Sequence, residues 1–269
     1  MSAHIKRTFS ISSIMMWLGF GFLYLPIFML VIYSFNQSRL VTLWGGFSLK
    51  WYYELLTDYE LIDAFGTSLQ IASISATCAA VLGTLSGIAL ARFGVFKGRT
   101  LFSGMLSAPF IVPEVVTGFS LLMLFVLLHN TIGWPKNRGV GTIIIAHTTI
   151  GMAYFAVLIQ ARLSSFNRAL EEAAMDLGAK PWKAFVLVTL PLIMPAILAG
   201  WLLSFTISLD DLVISSFTSG PGAVTLPMLI YSRVRLGVTP EINALATIFV
   251  ITVSVVTFIA SASLTKQKG

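Results

Sequence analysis

The chain has 269 residues, 57% of them hydrophobic and only 10% charged, with a mean hydropathy of +0.89. An ordinary soluble domain carries roughly a quarter of its residues as charged types, so this chain lacks the polar groups to cover a water-facing surface. The net charge of +6 and isoelectric point near 9.6 come from basic residues scattered at the ends of apolar runs, without an aromatic-interleaved stripe, which argues against a nucleic-acid partner and for membrane orientation.

Six apolar runs, at 14–35, 66–91, 102–128, 141–162, 190–210 and 244–264, are long enough to cross a bilayer. Backbone polar groups find no water in hydrocarbon, and the runs are too long for membrane strands, so all six are expected as helices. The expected fold is all-α and polytopic, a single transmembrane domain over 1–269. The first run follows Lys6 and Arg7, lacks a small-x-small cleavage pattern after it, and reads as a retained span. The second contains Gly83 and Gly87 in GTLSG beside Ala76, Ala79 and Ala80, a face able to approach another helix closely. Cys78, the single cysteine, excludes an internal disulfide and is expected to pack.

The third run opens SAPFIVPEVVTGFS, where Glu114 follows Pro113 at the membrane edge and must be paired, hydrated or neutral. It reads either as lining a pathway or as bracing a kink made by Pro109 and Pro113. In the fourth run His147 is expected to be a hydrogen-bonded packing residue; with His4 and His129 distant in sequence, no HExxH pair or metal site is expected. The fifth run, bent but not ended by Pro195 as the first is by Pro26, finishes in FTISLDDLVIS. Asp210 and Asp211 repel one another unless a cation or donor lies between them, so they suit a passing diamine. A second reading makes them caps of a re-entrant or outer helix that meet Arg233 or Arg235, and a third gives them a contact with a partner subunit.

Orientation follows from the 17 Lys and Arg residues. Eleven, including Lys6, Arg7, Arg92, Arg99, Arg168, Lys180 and Lys183, fall on the side of both termini, against six on the other, which places the termini and the 163–189 segment in the cytoplasm. Trp44, Trp51, Tyr52 and Tyr53 in the first outer loop fit an interfacial belt, with an aromatic box for an ammonium group as the alternative. The outer stretch from Ser219 is too apolar for a free loop and is expected to dip back or lie on the bundle.

The inner segment 163–189 reads as helix, glycine joint, helix. Asn167 can cap the first helix, Glu171 and Glu172 lie near its positive end, and Arg168 stands four residues before Glu172. Ala173 and Ala174 let another surface approach, Gly178 permits a left-handed turn, and Pro181 suits the start of the next helix. Composition leaves two uses open, sealing the bundle or docking a partner.

Glu172-Ala173-Ala174, Gly178 and then Val188-Thr189-Leu190-Pro191 resemble the EAA loop of permease subunits in binding-protein-dependent ABC importers, with Val188 in the usual Ile position. The runs VIYSFN, ARFGVFKG, EEAAMDLGAKPWKAF, SLDDLVISSFTSGPGAVTLPMLIYSRVRLG and TPEINALAT are similar to the polyamine permeases of that family. The resemblance implies a type I ABC importer fold in the bacterial inner membrane, paired with a homologous second permease. It further implies two cytoplasmic ATPase subunits and a periplasmic polyamine-binding protein. Glu171, Glu172, Ala173, Ala174, Asp176, Gly178, Leu190 and Pro191 take the ATPase-coupling role in that scheme. Putrescine is the expected cargo, with spermidine or another small solute as the alternative.

No GxxxxGK[ST] loop is present, so ATP and Mg are expected in the partner rather than as cofactors here, and no GxSxG elbow points to acyl transfer. The reading of a different class is an ion-coupled secondary transporter or channel.

Overall fold

The computed structural model describes residues 11–40, 43–165, 167–237, 239–251 and 254, with side chains from Ser13 onward. Among them the secondary structure is helical apart from a lone bridge between Asn36 and Phe47. In chain order the helices are α1 (Ile11–Tyr33), α2 (Lys50–Thr57), α3 (Tyr59–Arg92), α4 (Arg99–Ile111), α5 (Glu114–Ile132), α6 (Val140–Ser164), α7 (Ala169–Asp176), α8 (Pro181–Asp210), α9 (Val213–Thr218), α10 (Leu226–Leu236) and α11 (Pro240–Ile251). Five of them, α1, α3, α5, α6 and α8, are long and apolar enough to span a membrane. The sixth expected span, 244–264, is described as helix to Ile251; its remainder lies outside the described residues apart from Ser254.

Two departures from the expected spans have local causes. The third run splits into α4 and α5 at Val112-Pro113, because Pro113 brings no amide donor and holds Val112 extended, at φ −83° and ψ 128°. The helix continues through Pro109, so Pro113 makes the break. The fifth run begins nine residues early, at Pro181, and includes a π turn at Phe185–Thr189 just before Pro191. Leu190 N–H reaches back to Phe185 O, widening the turn where the proline withholds a donor. Pro26 and Pro195 remain inside their helices.

Chain contacts divide the molecule into two units, residues 60–229 and residues 1–59 with 230–269. In the first, α6 is the central element. Phe155 and Ile159 are fully buried with Ala79 of α3 and Ile193 of α8, while Ala156 packs with Leu90 and Leu106. The GTLSG face meets α6 directly: a Cβ on Gly87 would stand 2.8 Å from both Ala156 O and Ile159 Cβ, so only glycine allows this approach. Cys78 is exposed on the opposite side of α3 rather than packed, because the buried stripe runs through Ser75, Ala76 and Ala79.

In the second unit, Asn36 is fully buried and organises the turn after α1. Its Oδ1 accepts from Gly45 N–H at 2.8 Å and Ser38 N–H at 3.2 Å, its Nδ2 donates to Leu43 O at 2.8 Å, and its backbone carbonyl accepts from Trp51 Nε1 at 2.6 Å. Trp51 is therefore buried, whereas Trp44 and Tyr53 are exposed. Arg233 pairs with Asp58 at 2.5 Å, and Arg235 lies over the Tyr231 ring.

Candidate functional site

The three membrane-edge acids singled out in the sequence border one cavity of about 380 Å³. Its walls come from the break between α4 and α5 (Pro109, Val112, Glu114, Thr117), the middle of α6 and the end of α8. Helical period explains the convergence. His147, Ile150, Gly151 and Tyr154 follow the i, i+3, i+4, i+7 pattern of one face of α6, and Ser204, Ile207, Ser208 and Asp211 repeat it along α8 and its cap. The broken backbone at Val112-Pro113 faces the same space, as expected where non-helical backbone at membrane depth must border a cavity or protein rather than lipid.

The two aspartates have different surroundings. Asp211 caps α9: its Oδ2 accepts from Ser215 N–H at 2.7 Å and its Oδ1 from Ile214 N–H at 3.3 Å. His147 Nε2 lies 3.2 Å from Oδ2, with the two side chains 3% and 10% exposed. His147 Nδ1 lies 2.6 Å from Ser208 Oγ, which accepts from Ser75 Oγ at 3.1 Å. The partners order the protons in one direction. For a neutral imidazole, Ser75 donates to Ser208, Ser208 to Nδ1, and Nε2–H to the ionised carboxylate, with Ser215 Oγ also 3.2 Å from Nε2. Asp211 is thus held by three donors from two elements.

Asp210 bonds its own backbone, and no hydrogen bond joins Glu114 to another described residue. Both carboxylates are exposed to the cavity side of the molecule, and the buried hydroxyl of Ser204 beside them has no partner among described residues. The site therefore offers two uncommitted carboxylates and a hydroxyl, facing Tyr154, which suits a cationic donor-rich solute. Arg233 and Arg235 are engaged with Asp58 and Tyr231, and the partner of Asp211 is His147.

The 163–189 segment forms the helix, turn and helix expected. Asn167 Oδ1 accepts from Ala169 N–H at 3.0 Å, one residue ahead of a standard cap. Gly178, at φ +88°, ends α7 in a Schellman motif, with Gly178 N–H bonding Met175 O at 2.8 Å and Ala179 N–H bonding Ala174 O at 3.1 Å. Pro181 occupies the first turn of α8. Glu172, Ala173, Asp176 and Gly178 are exposed, as are Leu177 and Trp182. Arg168 does not pair with Glu172; it donates to Ala91 O at 3.3 Å. Glu171 turns inward to Arg92 at 2.7 Å and to the hydroxyl of Thr189. Leu190 and Pro191 follow the π turn.

His147 is the buried, hydrogen-bonded residue the sequence led one to expect, but sequence reasoning missed its pairing with Asp211, the serines Ser75 and Ser208 beside it, and Arg92 with Thr189. The serines were findable, since Ser75 stands four residues before Ala79 and Ser208 three before Asp211. The Arg92–Glu171 pair, 79 residues apart, leaves no such trace.

A model of the binding-protein-dependent transport system inner membrane component family matches residues 80–267. The putrescine transport system permease protein PotI of Escherichia coli K12 is 58% identical over 247 residues, covering 92% of this chain and 88% of the relative. The spermidine/putrescine permease PotC of the same strain is 42% identical, covering 93% and 91%. Among solved structures, a bacterial ABC transporter importing alginate matches with a TM-score of 0.71 at 17% identity over 97% of this chain and 99% of that one. The MetNI methionine ABC transporter matches with a TM-score of 0.58 over 77% of this chain. The fold is that of a type I ABC importer permease. By the family match and by both relatives, the chain belongs to the inner membrane components of binding-protein-dependent transport systems.

Proposed function

We propose that this chain forms one half of the translocation pathway of a polyamine importer, with putrescine as cargo, and that a separate ATPase drives it. The observation that carries the cargo is the acidic cavity, where Glu114, Asp210 and Asp211 converge in a chain 58% identical to a putrescine permease. Its volume of about 380 Å³ falls within the roughly 300–1,000 Å³ of small-molecule sites. Glu114 and Asp210 receive the ammonium groups, and Asp211 keeps its wall in shape.

The chain works as a non-catalytic subunit beside a homologous second permease, in a bacterial inner membrane with both termini cytoplasmic. Two copies of a cytoplasmic ABC ATPase supply the ATP and Mg chemistry, and a periplasmic polyamine-binding protein delivers the solute. The exposed face of α7, with Glu172, Ala173 and Asp176, together with the Gly178 turn after it, is the ATPase contact, and Leu190 and Pro191 carry the second half of the elbow into the bundle. The whole chain acts as one transmembrane domain.

Uptake of labelled putrescine by the assembled transporter tests the cargo site. A carboxylate about 4 Å from an ammonium is worth up to about 4 kcal/mol at an effective dielectric constant near 20, and a third of that is roughly tenfold in affinity. Glu114→Gln and Asp210→Asn are each expected to raise the half-saturating putrescine concentration by about that factor, with ATPase association intact. Unchanged uptake at low putrescine in both variants overturns the assignment. Glu172→Lys tests the docking face: retained ATPase co-purification and retained transport-linked hydrolysis overturn it.

A further inference from the structure

The acidic pair at the start of α7 is divided between two surroundings. Glu172 is exposed, whereas Glu171 turns into the molecule, where one oxygen, Oε1, accepts from Arg92 Nη2 at 2.7 Å and from the Thr189 hydroxyl. Arg92 is the last residue of α3 and Thr189, 1% exposed, sits in the π turn of α8. A single carboxylate oxygen thus joins α7, α3 and α8. Arg168, just before α7, donates to Ala91 O, so α7 is fastened to the last turn of α3 at two points.

The surroundings give this link mechanical weight. A cavity of about 340 Å³ opens beside it, lined by Ile88, Phe93, Met175 and Phe185 among others. Side chains bordering empty space resist displacement poorly, whereas charge-assisted hydrogen bonds are short and directional. The π turn adds one residue to the helical turn that Thr189 belongs to, a place where a helix changes register without breaking. From there α8 runs without interruption to Ser204, Ser208 and Asp210 at the acidic cavity.

We propose that Glu171 is a positioning residue, the joint through which movement of the coupling elbow reaches the transmembrane helices, by way of Arg92 into α3 and of Thr189 into α8. The inference rests on the reading of α7 as the ATPase contact and assigns the neighbouring glutamates separate tasks: Glu172 meets the partner and Glu171 passes the motion inward. The EAA spacing contains neither Glu171 nor Thr189 as a defined position, and Arg92 lies far outside it.

The test uses the complete transporter in proteoliposomes, with its ATPases and binding protein, and reads ATPase co-purification, ATP hydrolysis and putrescine uptake together. Glu171→Gln keeps the ATPase bound and hydrolysing, while uptake per ATP hydrolysed falls on the order of tenfold. Arg92→Lys at the other end of the bond loses less than Arg92→Met. The double variant Arg92→Met with Glu171→Met removes both charges, a change that leaves stability of such pairs near neutral or improved. It is expected to fold, to bind the ATPase and to be as uncoupled as Arg92→Met or Glu171→Met alone. Uptake per ATP within twofold of the parent in that double variant overturns the proposal, as does additivity of the two single effects. Loss of ATPase association in Glu171→Gln also overturns it, by placing Glu171 in the docking face. Failure of the docking reading is distinguished by Glu172→Lys, which then keeps its ATPase whatever Glu171→Gln does.

Discussion

Asp211 and its neighbour Asp210 are expected to respond differently to neutralisation, because Asp211 accepts from His147, Ile214 and Ser215 while Asp210 bonds only its own backbone. Asp211→Ala removes the cap acceptor of α9, a loss of about 1 kcal/mol. It also strips a charge-assisted hydrogen bond from a histidine whose side chain is 3% exposed, worth about 1.5–3 kcal/mol, and leaves Nε2 with Ser215 Oγ, 3.2 Å away, as its remaining partner. The total is roughly 2.5–4 kcal/mol, a large share of the 5–15 kcal/mol that holds an ordinary domain together. Asp211→Asn keeps an acceptor for Ser215 N–H and for His147 Nε2, so it forfeits about 1 kcal/mol. Asp210→Asn loses no bond to another residue and is expected within about 0.5 kcal/mol of the parent. Thermal unfolding of the purified transporter in one fixed detergent gives the order: Asp211→Ala lowest, Asp211→Asn between, Asp210→Asn with the parent. Equal unfolding temperatures for Asp211→Ala and the parent refute the structural role of Asp211. A further consequence is that His147→Phe, which removes the Asp211 partner while filling the space, reproduces the thermal loss of Asp211→Ala, and the two losses combined are less than additive.

Gly87→Leu forces a branched side chain into the 2.8 Å gap against Ala156 O and Ile159, and a loss of at least 1–3 kcal/mol is expected, read as reduced yield of monodisperse protein. Asn36→Ala leaves the amides of Gly45 and Ser38 and the carbonyl of Leu43 unmet around a fully buried position, for about 2–4 kcal/mol; faster proteolysis between Gln37 and Phe47 checks it. Gly178→Val places a β-branched residue at φ +88° and weakens the turn by about 1–2 kcal/mol, so the distance between spin labels at Met175 and Trp182 broadens without loss of the spans.

The helices were legible because hydrocarbon removes every competitor for the backbone: a run apolar over 20 or more residues has no alternative to a helix. Gly178 and Pro181 were legible for a different reason, since a positive φ and a donorless first turn each have one residue type that meets them at little cost. What stayed hidden was partnership. Glu171 and Glu172 are adjacent and chemically identical, and only the hundred-degree step between neighbouring helix positions turns one to Arg92 and leaves the other facing out. The same step separates Asp210 from Asp211, giving one a carboxylate free of cross-segment bonds and the other three donors. A doubled acid therefore divides into a bonded and an exposed member twice in this chain, once in α7 and once at the end of α8. The inner member of each pair bonds a neighbouring helix and the outer member is left exposed; the proposed function gives that exposed acid to an ATPase in one case and to a cation in the other. If the outer acid meets the cation, moving it two positions along the chain, in the double exchange Asp210→Leu with Leu212→Asp, keeps the charge count and loses uptake.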